Sequence, residues 1–262
     1  ISKKLYKPTF IGTDSRLKAI YNSENDFNVE DTEYIIRNSP QDHKEAGFEK
    51  GWPSRFDTWY KLPMEFGFIF YGMDAPIEIS TTGHMLIDAV REVPKNDDKI
   101  QNVFLNAMMK YQTNNPFRKN SNTNAPLPLL LNVIKKLKDD PEEGDSGVFI
   151  SELSMIICWP DNDADALYKE IKAFRKKHRF TYGDEVMYDR CLQILNADSS
   201  KKNRFKISQI TGEAVDEFIR KMRITGLISL RGNGRFVDFN SFEAERIDYV
   251  IRNYTVFDSF SS

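Results

Sequence analysis

The chain has little of what builds a disulfide scaffold, a zinc site or a membrane anchor. Only two of its 262 residues are cysteines, Cys158 and Cys191, too few for a disulfide framework and in keeping with a reducing cytoplasm. Its three histidines, His43, His84 and His178, share no ligand spacing with each other or with the cysteines, which argues against a metal site. No stretch approaches the roughly 18 consecutive apolar residues of a transmembrane helix. The N-terminus, Ile1-Ser2-Lys3-Lys4, lacks both a methionine and an apolar signal core, and reads as the internal start of a fragment or processed chain. There is no Gly-rich phosphate loop, no Ser/His/Asp set and no reactive-cysteine environment, so enzyme chemistry has no specific support. Net charge of one sign is lacking too, at −2.

That average hides a strong asymmetry. Residues 169–179 carry six Lys/Arg against one Glu, and residues 201–235 carry nine against three acids. The compensating acid gathers in loop-like stretches such as 22–33 and 139–145. A polyanion responds to local field, so this segregation keeps nucleic acid open as a partner.

The length allows one large domain or two small ones. The first fifty residues are polar and poorly periodic, and read as an N-terminal extension. From Trp52 onward helices dominate. Ile100, Val103, Phe104, Ala107, Met108 and Tyr111 recur with helical spacing. An Asn-rich loop at 113–125 follows, long enough to be mobile or functional. Asn124 is placed to cap the next helix, with Pro126 in its first turn and Leu127, Leu130, Leu131 and Ile134 inward. The charged loop around Pro141 is the best domain boundary. Beyond it, Ile150-Ser151-Glu152-Leu153 opens a short helix, and Ala164, Leu167, Tyr168 and Ile171 mark another.

The most informative feature is a supersecondary unit that the chain writes twice. In the second copy Val215, Phe218, Ile219 and Met222 form the buried face of a helix ending at Thr225-Gly226. Strands at 227–230 and 236–239 flank Arg231-Gly232-Asn233-Gly234-Arg235, a strong hairpin signal. Asn240-Ser241-Phe242-Glu243 is a capping box for a last helix, with Ile247, Val250, Ile251 and Tyr254 inward. In the first copy a helix over 55–64 leads to Phe66-Gly67, a strand at 68–71, a turn at Gly72 and a strand at 77–79. Ser80-Thr81 then caps a helix carrying Met85, Leu86, Ala89 and Val90. Helix, Gly, strand, turn, strand, capped helix is the order of a winged helix, although helix–hairpin–helix also arises by chance in α+β domains. The expected fold is mainly α with small β-hairpins, built from tandem winged-helix or helix-turn-helix modules. Residues 1–50 are the extension, 51–138 the first module with its following helices, and 146–257 the second.

Pro160-Asp161 followed by Glu170-Ile171-Lys172 spells a nuclease-like metal signature, whose carboxylates must converge on Mg²⁺. That chemistry needs Glu and Lys on one face of a strand. Here they fall in a helical pattern, where residues two apart diverge by about 200°. No catalytic residue and no metal ligand are therefore assigned. The basic groups suit phosphate and base-edge contact instead. Arg220, Lys221 and Arg223 lie off the apolar stripe of the helix before the second hairpin, the helix that enters the major groove in winged helices. Arg forks onto guanine and Lys supplies point charge. Arg231, Asn233 and Arg235 flank or form the hairpin tip, and Lys201, Lys202, Arg204 and Lys206 lead in. Arg55, Trp59 and Lys61 occupy the corresponding first helix, with Trp59 better suited to a core than to base stacking. Arg118 and Lys119 sit in the Asn-rich loop. Each of these cations singly is also what any solvated helix face carries.

DTWYKLPMEFGFIFYGMDAPIEISTTGHMLIDA (57–89), IQNVFLNAMMKYQ (100–112), APLPLLLNVIKKL (125–137), VFISELSMII (148–157) and RITGLISLRGNGRFVDFNSFEAERIDYVI (223–251), together with Asn253-Tyr254-Thr255, resemble the N-terminal part of the AlwI-type family of type IIS restriction endonucleases and related nicking enzymes. The resemblance covers about residues 50–257. It implies a bacterial, cytoplasmic enzyme in two parts: a helical region with winged-helix-like modules that reads a short asymmetric site in double-stranded DNA, and a C-terminal PD-(D/E)xK nuclease domain that uses Mg²⁺. Residues 258–262 would begin the linker to that domain. This chain would then be the specificity half, a monomer that needs no cofactor of its own. A tandem winged-helix transcription regulator shares the fold and the basic face. A complete small nuclease using Asp161 and Glu170 is the third class.

Overall fold

The computed structural model describes residues 1–42, 49–72, 75–118, 121–144, 146–179, 182–196 and 206–256. It is mainly helical with small antiparallel sheets. The chain divides into two compact units, Ile1–Leu62 and Pro63–Ser262.

In the first unit the polar N-terminal stretch builds two short helices. Asp14 caps α1 (Ser15–Asn22), its Oδ1 accepting from the Leu17 N–H at 2.9 Å. Asn28 caps α2 (Val29–Arg37) in the same way, accepting from the Asp31 N–H at 2.7 Å. Ile11, Leu17, Phe27 and Ile35 close a small core, and Arg16 pairs with Asp31 at 2.6 Å. Each helix buries only one or two side chains, which is why no periodicity marks them in the sequence. Half of the acidic stretch 22–33 is thus helical, with Glu30 and Asp31 in the first turn of α2, where they complement the helix dipole. The helix α3 (Trp52–Glu65) carries Pro63, at which the second unit begins.

The second unit opens with a two-stranded sheet of β1 (Ile69–Gly72) and β2 (Ala75–Ile79), in which Ile69 faces Ile79 and Phe70 faces Glu78. Ser80 caps α4 (Thr81–Arg91), its Oγ accepting from the Gly83 N–H at 3.0 Å. A Cβ on Gly83 would lie 2.1 Å from the Phe68 carbonyl oxygen, so only glycine lets α4 start against β1. Of the apolar residues that α4 carries, Met85 and Val90 are 53% and 54% exposed. The apolar arc of α4 is wider than the strip that Ala89 and the half-buried Leu86 cover. The amphipathic helix α5 (Asp97–Met108) begins at an Asn96 cap and buries Val103, Leu105, Ala107 and Met108.

The central element is α6 (Pro126–Asp139), which buries Leu129 and Val133 as well as the four residues of the expected face. A helix apolar on nearly all sides must be covered on all of them. The elements packed on it include α8 (Ala164–His178), α7 (Leu153–Cys158), α11 (Ala244–Asn253) and a three-stranded sheet. That sheet has the order β3 (Val148–Phe149), β5 (Phe236–Phe239), β4 (Ile228–Arg231). Val148 pairs with Val237, and Leu230 pairs with Val237 from the other side. A Cβ on Gly147 would sit 2.2 Å from the Val237 carbonyl oxygen, so the entry to β3 lies flat on β5. The helices α9 (Asp184–Ile194) and α10 (Ala214–Arg223), the latter preceded by a π-turn over Gln209–Glu213, pack on α7. The hydrophobic cluster runs from Leu105 to Val250 without a break at the charged loop 139–145. Cys158 and Cys191, far apart in sequence, are buried free thiols side by side, and their mutual contact together with burial pushes the Cys191 thiol up.

Asn124 does not cap α6. That position belongs to Ala125, whose N–H donates to Asn162 Oδ1 at 2.7 Å. Asn124 is buried, and its amide donates to the carbonyls of Ile156 and Trp159 at 3.2 and 2.7 Å. Asn122 adds a bond to the Ile157 carbonyl at 2.8 Å. The described part of the Asn-rich loop is therefore stitched to the end of α7, satisfying carbonyls that a helix C-terminus leaves open.

Candidate nucleic-acid interface

The apolar stripe Val215, Phe218, Ile219 and Met222 of α10 is buried, as its spacing dictates. Asp216, Arg220 and Arg223, at i, i+4 and i+7, share the opposite face and are exposed. Neither Arg220 nor Arg223 makes a hydrogen bond or ion pair with a described residue. Lys221 is held back by Glu217 at 2.6 Å. Burial works to raise the Glu217 pKa, but the Lys221 hydrogen bond and the charges of Lys221, Arg118 and Arg220 outweigh it and lower it below the usual carboxylate range. The acids stand at the start of α10 and the bases at its end, an arrangement that also complements the dipole. Asp216 was not singled out from the sequence. The signal was its i, i+4, i+7 alignment with the two arginines.

The hairpin after α10 turns through four residues, since Arg231 pairs with Phe236. Gly232, Asn233 and Gly234 take φ of +60°, +56° and +81°, and Asn is the side chain that best tolerates the left-handed region. Asn233 and Arg235 point to solvent, and Arg235 has no ion-pair partner among the described residues. Arg231 is anchored to the buried Asp238, which also meets Lys138 at 3.3 Å. Lys206 is exposed, and its backbone N–H donates to Gln209 Oε1 at 3.0 Å where the chain enters the π-turn.

Arg118 does not stand free. Its Nε donates to Glu65 Oε1 at 2.6 Å, and Glu65 also accepts from Tyr111 at 3.1 Å. Burial opposes the Arg118 charge, but the adjacent Glu65 carboxylate outweighs it and the guanidinium pKa is raised. Tyr111, Thr113 and Asn124 line a cleft of about 140 Å³ together with Glu217, Lys221 and Met222, so the Asn-rich loop borders α10. Arg55, Trp59 and Lys61 lie in the first unit. Trp59 is 36% exposed at the edge of a cluster with Tyr6 and Trp52, at ring separations of 4.5 and 6.2 Å, and Arg55 lies 5.4 Å over it. Lys61 meets Asp57 at 3.4 Å. Lys119, Lys201, Lys202 and Arg204 lie outside the described residues, as do 257–262.

The basic stretch 169–179 behaves differently from its sequence reading. Arg175 on α8 is buried, with all its donors engaged. Nε and Nη2 donate to Glu152 at 2.7 Å, Nη1 to Glu143 and Ser146 at 2.7 and 2.8 Å, and Nη2 to the Gly147 carbonyl at 2.8 Å. Glu152 also accepts the Phe149 N–H and the Tyr182 hydroxyl, both at 2.8 Å. Lys172 pairs with Asp140 and with Glu142 at 2.7 Å. The Lys172 and Tyr168 hydrogen bonds hold Asp140 down at about 2. Lys172 and Arg175 of the basic helix, far from these acids along the chain, are thus neutralised by them in space.

These pairings also dispose of the nuclease-like spelling. Glu170 sits on α8 bound to Arg190 at 2.6 Å, Lys172 is turned to the acidic loop, and Asp161 accepts from the Asp163 N–H at 2.9 Å in a turn. Among the described residues no group of three or more His, Cys, Asp or Glu is placed to hold a metal ion. Asp161, Glu170 and Lys172, so engaged, do not form a Mg²⁺ centre. No described helix is long and apolar enough to cross a membrane.

Among curated proteins none matches the chain. Several solved structures do. One is the binding domain of the BpuJ1 endonuclease in complex with pyrene- and phenanthrene-modified DNA. It is 13% identical over 80% of this chain and 69% of that one, with a TM-score of 0.45. The family model of the AlwI restriction endonuclease matches residues 64–260, which is nearly the whole of the second unit. On that match, the chain belongs to the AlwI restriction endonuclease family.

Proposed function

We propose that this chain is the sequence-specific, duplex-DNA recognition part of a type IIS restriction or nicking endonuclease. Strand cleavage and its Mg²⁺ would belong to a nuclease domain outside these 262 residues. The observation that carries the reading is the outer face of α10, where Asp216, Arg220 and Arg223 line up, exposed and unpaired with described residues, directly before a hairpin that presents Asn233 and Arg235. Arginine forks onto guanine O6 and N7, while a carboxylate accepts from cytosine N4, so this face suits G·C pairs in a major groove.

The frame around it supports a winged helix. Helix α6, strand β3, helix α7, helix α10, strand β4, turn and strand β5 follow in that order, with α8 and α9 inserted before α10. The strand order β3-β5-β4 leaves β4 at the edge of the sheet, and the turn that joins it to β5 is where a wing would reach sugar and phosphate. Residues 51–138 form the first module in this reading, with Arg55, Trp59 and Lys61 on its helix, and 146–257 the second. Two unlike modules on one chain suit a monomer on an asymmetric site.

The test is selection from a randomised duplex pool with Ca²⁺ and without Mg²⁺. One enriched asymmetric motif of about five base pairs is expected, of a size two helices can read. An enriched palindrome would favour a dimeric regulator, and no binding would refute the reading.

A further inference from the structure

We propose that the C-terminal turn of α8 is a second phosphate-binding strip, formed by Lys176, Lys177 and Arg179, which extends the α10–hairpin interface along the DNA backbone. The inference rests on the DNA reading above and adds a surface to it.

Two observations carry it. The first is the contrast between helix ends. Any helix gains from cations in its last turn, and α6 shows that effect alone: Lys135, Lys136 and Lys138 each meet a carboxylate, at 3.4, 2.7 and 3.3 Å. On α8, Lys172 and Arg175 are likewise matched by acids. Lys176, Lys177 and Arg179 are exposed and meet no carboxylate among the described residues. These three charges exceed what the acidic loop neutralises.

The second observation is where the turn is fixed. Arg175, in the midst of these cations, grips the Gly147 carbonyl and, through Glu152, the Phe149 N–H. Phe149 pairs with Phe236 in the sheet, and the next N–H, of Ile150, donates to the Arg235 carbonyl at 2.9 Å. A line of rings runs parallel to this. Phe174 lies 4.8 Å from Tyr182, Tyr182 5.9 Å from Phe149, and Phe149 5.4 Å from Phe236. The end of α8 is thereby locked to the turn end of the hairpin, at Phe236 and the Arg235 backbone. In this proposal a backbone tracked by Arg235 would continue past the end of α8, where a point charge on a flexible stem suits phosphate rather than base edges.

The experiment measures duplex affinity against salt for the wild-type chain and for Lys176→Gln/Lys177→Gln/Arg179→Gln, using the duplex that the selection enriches. Each phosphate contact contributes about 0.9 to the slope of log K against log salt. The expected result is a slope reduced by roughly 2 to 3, with the thermal midpoint and the selected motif unchanged. The double variant Lys176→Gln/Lys177→Gln leaves the left-handed Arg179 in place and should show about two-thirds of that change if folding complicates the triple. An unchanged slope in variants of a chain that binds overturns this proposal alone. A wild-type chain that binds no duplex overturns the DNA reading and this extension with it.

Discussion

The α8 segment 169–179 and the α10–hairpin segment 214–235 are both rich in Lys and Arg, and the fold uses them in opposite directions. Along α8 the inward cations meet a dedicated acidic loop. Arg175 is 3% exposed and bound to Glu152, itself fully buried, and Lys172 is bound to Asp140 and Glu142. Along α10 the acids stay on the helix itself, at Asp216 and Glu217, and only Lys221 is drawn back. Arg220, Arg223 and Arg235 remain exposed. A basic stretch therefore announces a ligand only once the carboxylates that fold against it have been subtracted.

The comparison breaks most visibly at Arg175. Arg175→Ala leaves Glu152 buried with no cation and should cost about 3–5 kcal/mol of unfolding free energy, as removal of one partner of a buried pair does. Denaturant unfolding measures it, and a loss below about 1 kcal/mol, the range of exposed pairs, would mean that the clamp holds nothing. Next comes Gly147→Ala, whose Cβ would strike the Val237 carbonyl. Overpacking of this kind should cost about 1–3 kcal/mol and loosen β3 from β5, visible as faster amide exchange at Val148 and Phe149. On the outward side, Arg223→Ala should leave the thermal midpoint unchanged and weaken specific duplex binding by about 1–3 kcal/mol. Glu24→Ala, in the acidic stretch of the first unit, should weaken it far less, and equal losses would remove the basis for placing the interface on α10. The smallest effect concerns Asp140. Its pKa, held at about 2 against an ordinary 3.8, is depressed by folding, so its contribution is present above about pH 4 and disappears as the pH falls towards 2. Asp140→Asn should flatten that part of the acid-unfolding curve and leave duplex binding at neutral pH unaltered.

Much of the second hairpin was legible in the sequence. The stripe of α10, the stop at Thr225-Gly226, both strands and the Gly-Asn-Gly turn are local signals, each set by residues within a few positions. The third strand was not legible, because β3 is two residues long and exists only through pairing with β5, some ninety residues away in the chain. A separation of 23 residues likewise hid the Arg175–Glu152 clamp inside a run that reads as basic along the chain. Asn124 misled for a related reason: Asn before Pro is a fair cap signal, but the carbonyls at the end of α7 compete for its amide. Of the candidate contacts, Arg220, Arg223, Asn233 and Arg235 stand exposed as their spacing implied. Arg118, Arg231, Lys61 and Lys221 are tied to Glu65, Asp238, Asp57 and Glu217, partners that lie 53 residues back, across the hairpin, or one helical turn away.

The most direct test of base reading by α10 is the motif selected from a randomised duplex pool by the wild-type chain and by Arg223→Ala. The account predicts that the variant loses preference at one or two adjacent positions and keeps the rest of the motif. Uniformly weaker binding with the whole motif intact would place Arg223 on the phosphate backbone and contradict the assignment of α10 as the helix that reads sequence.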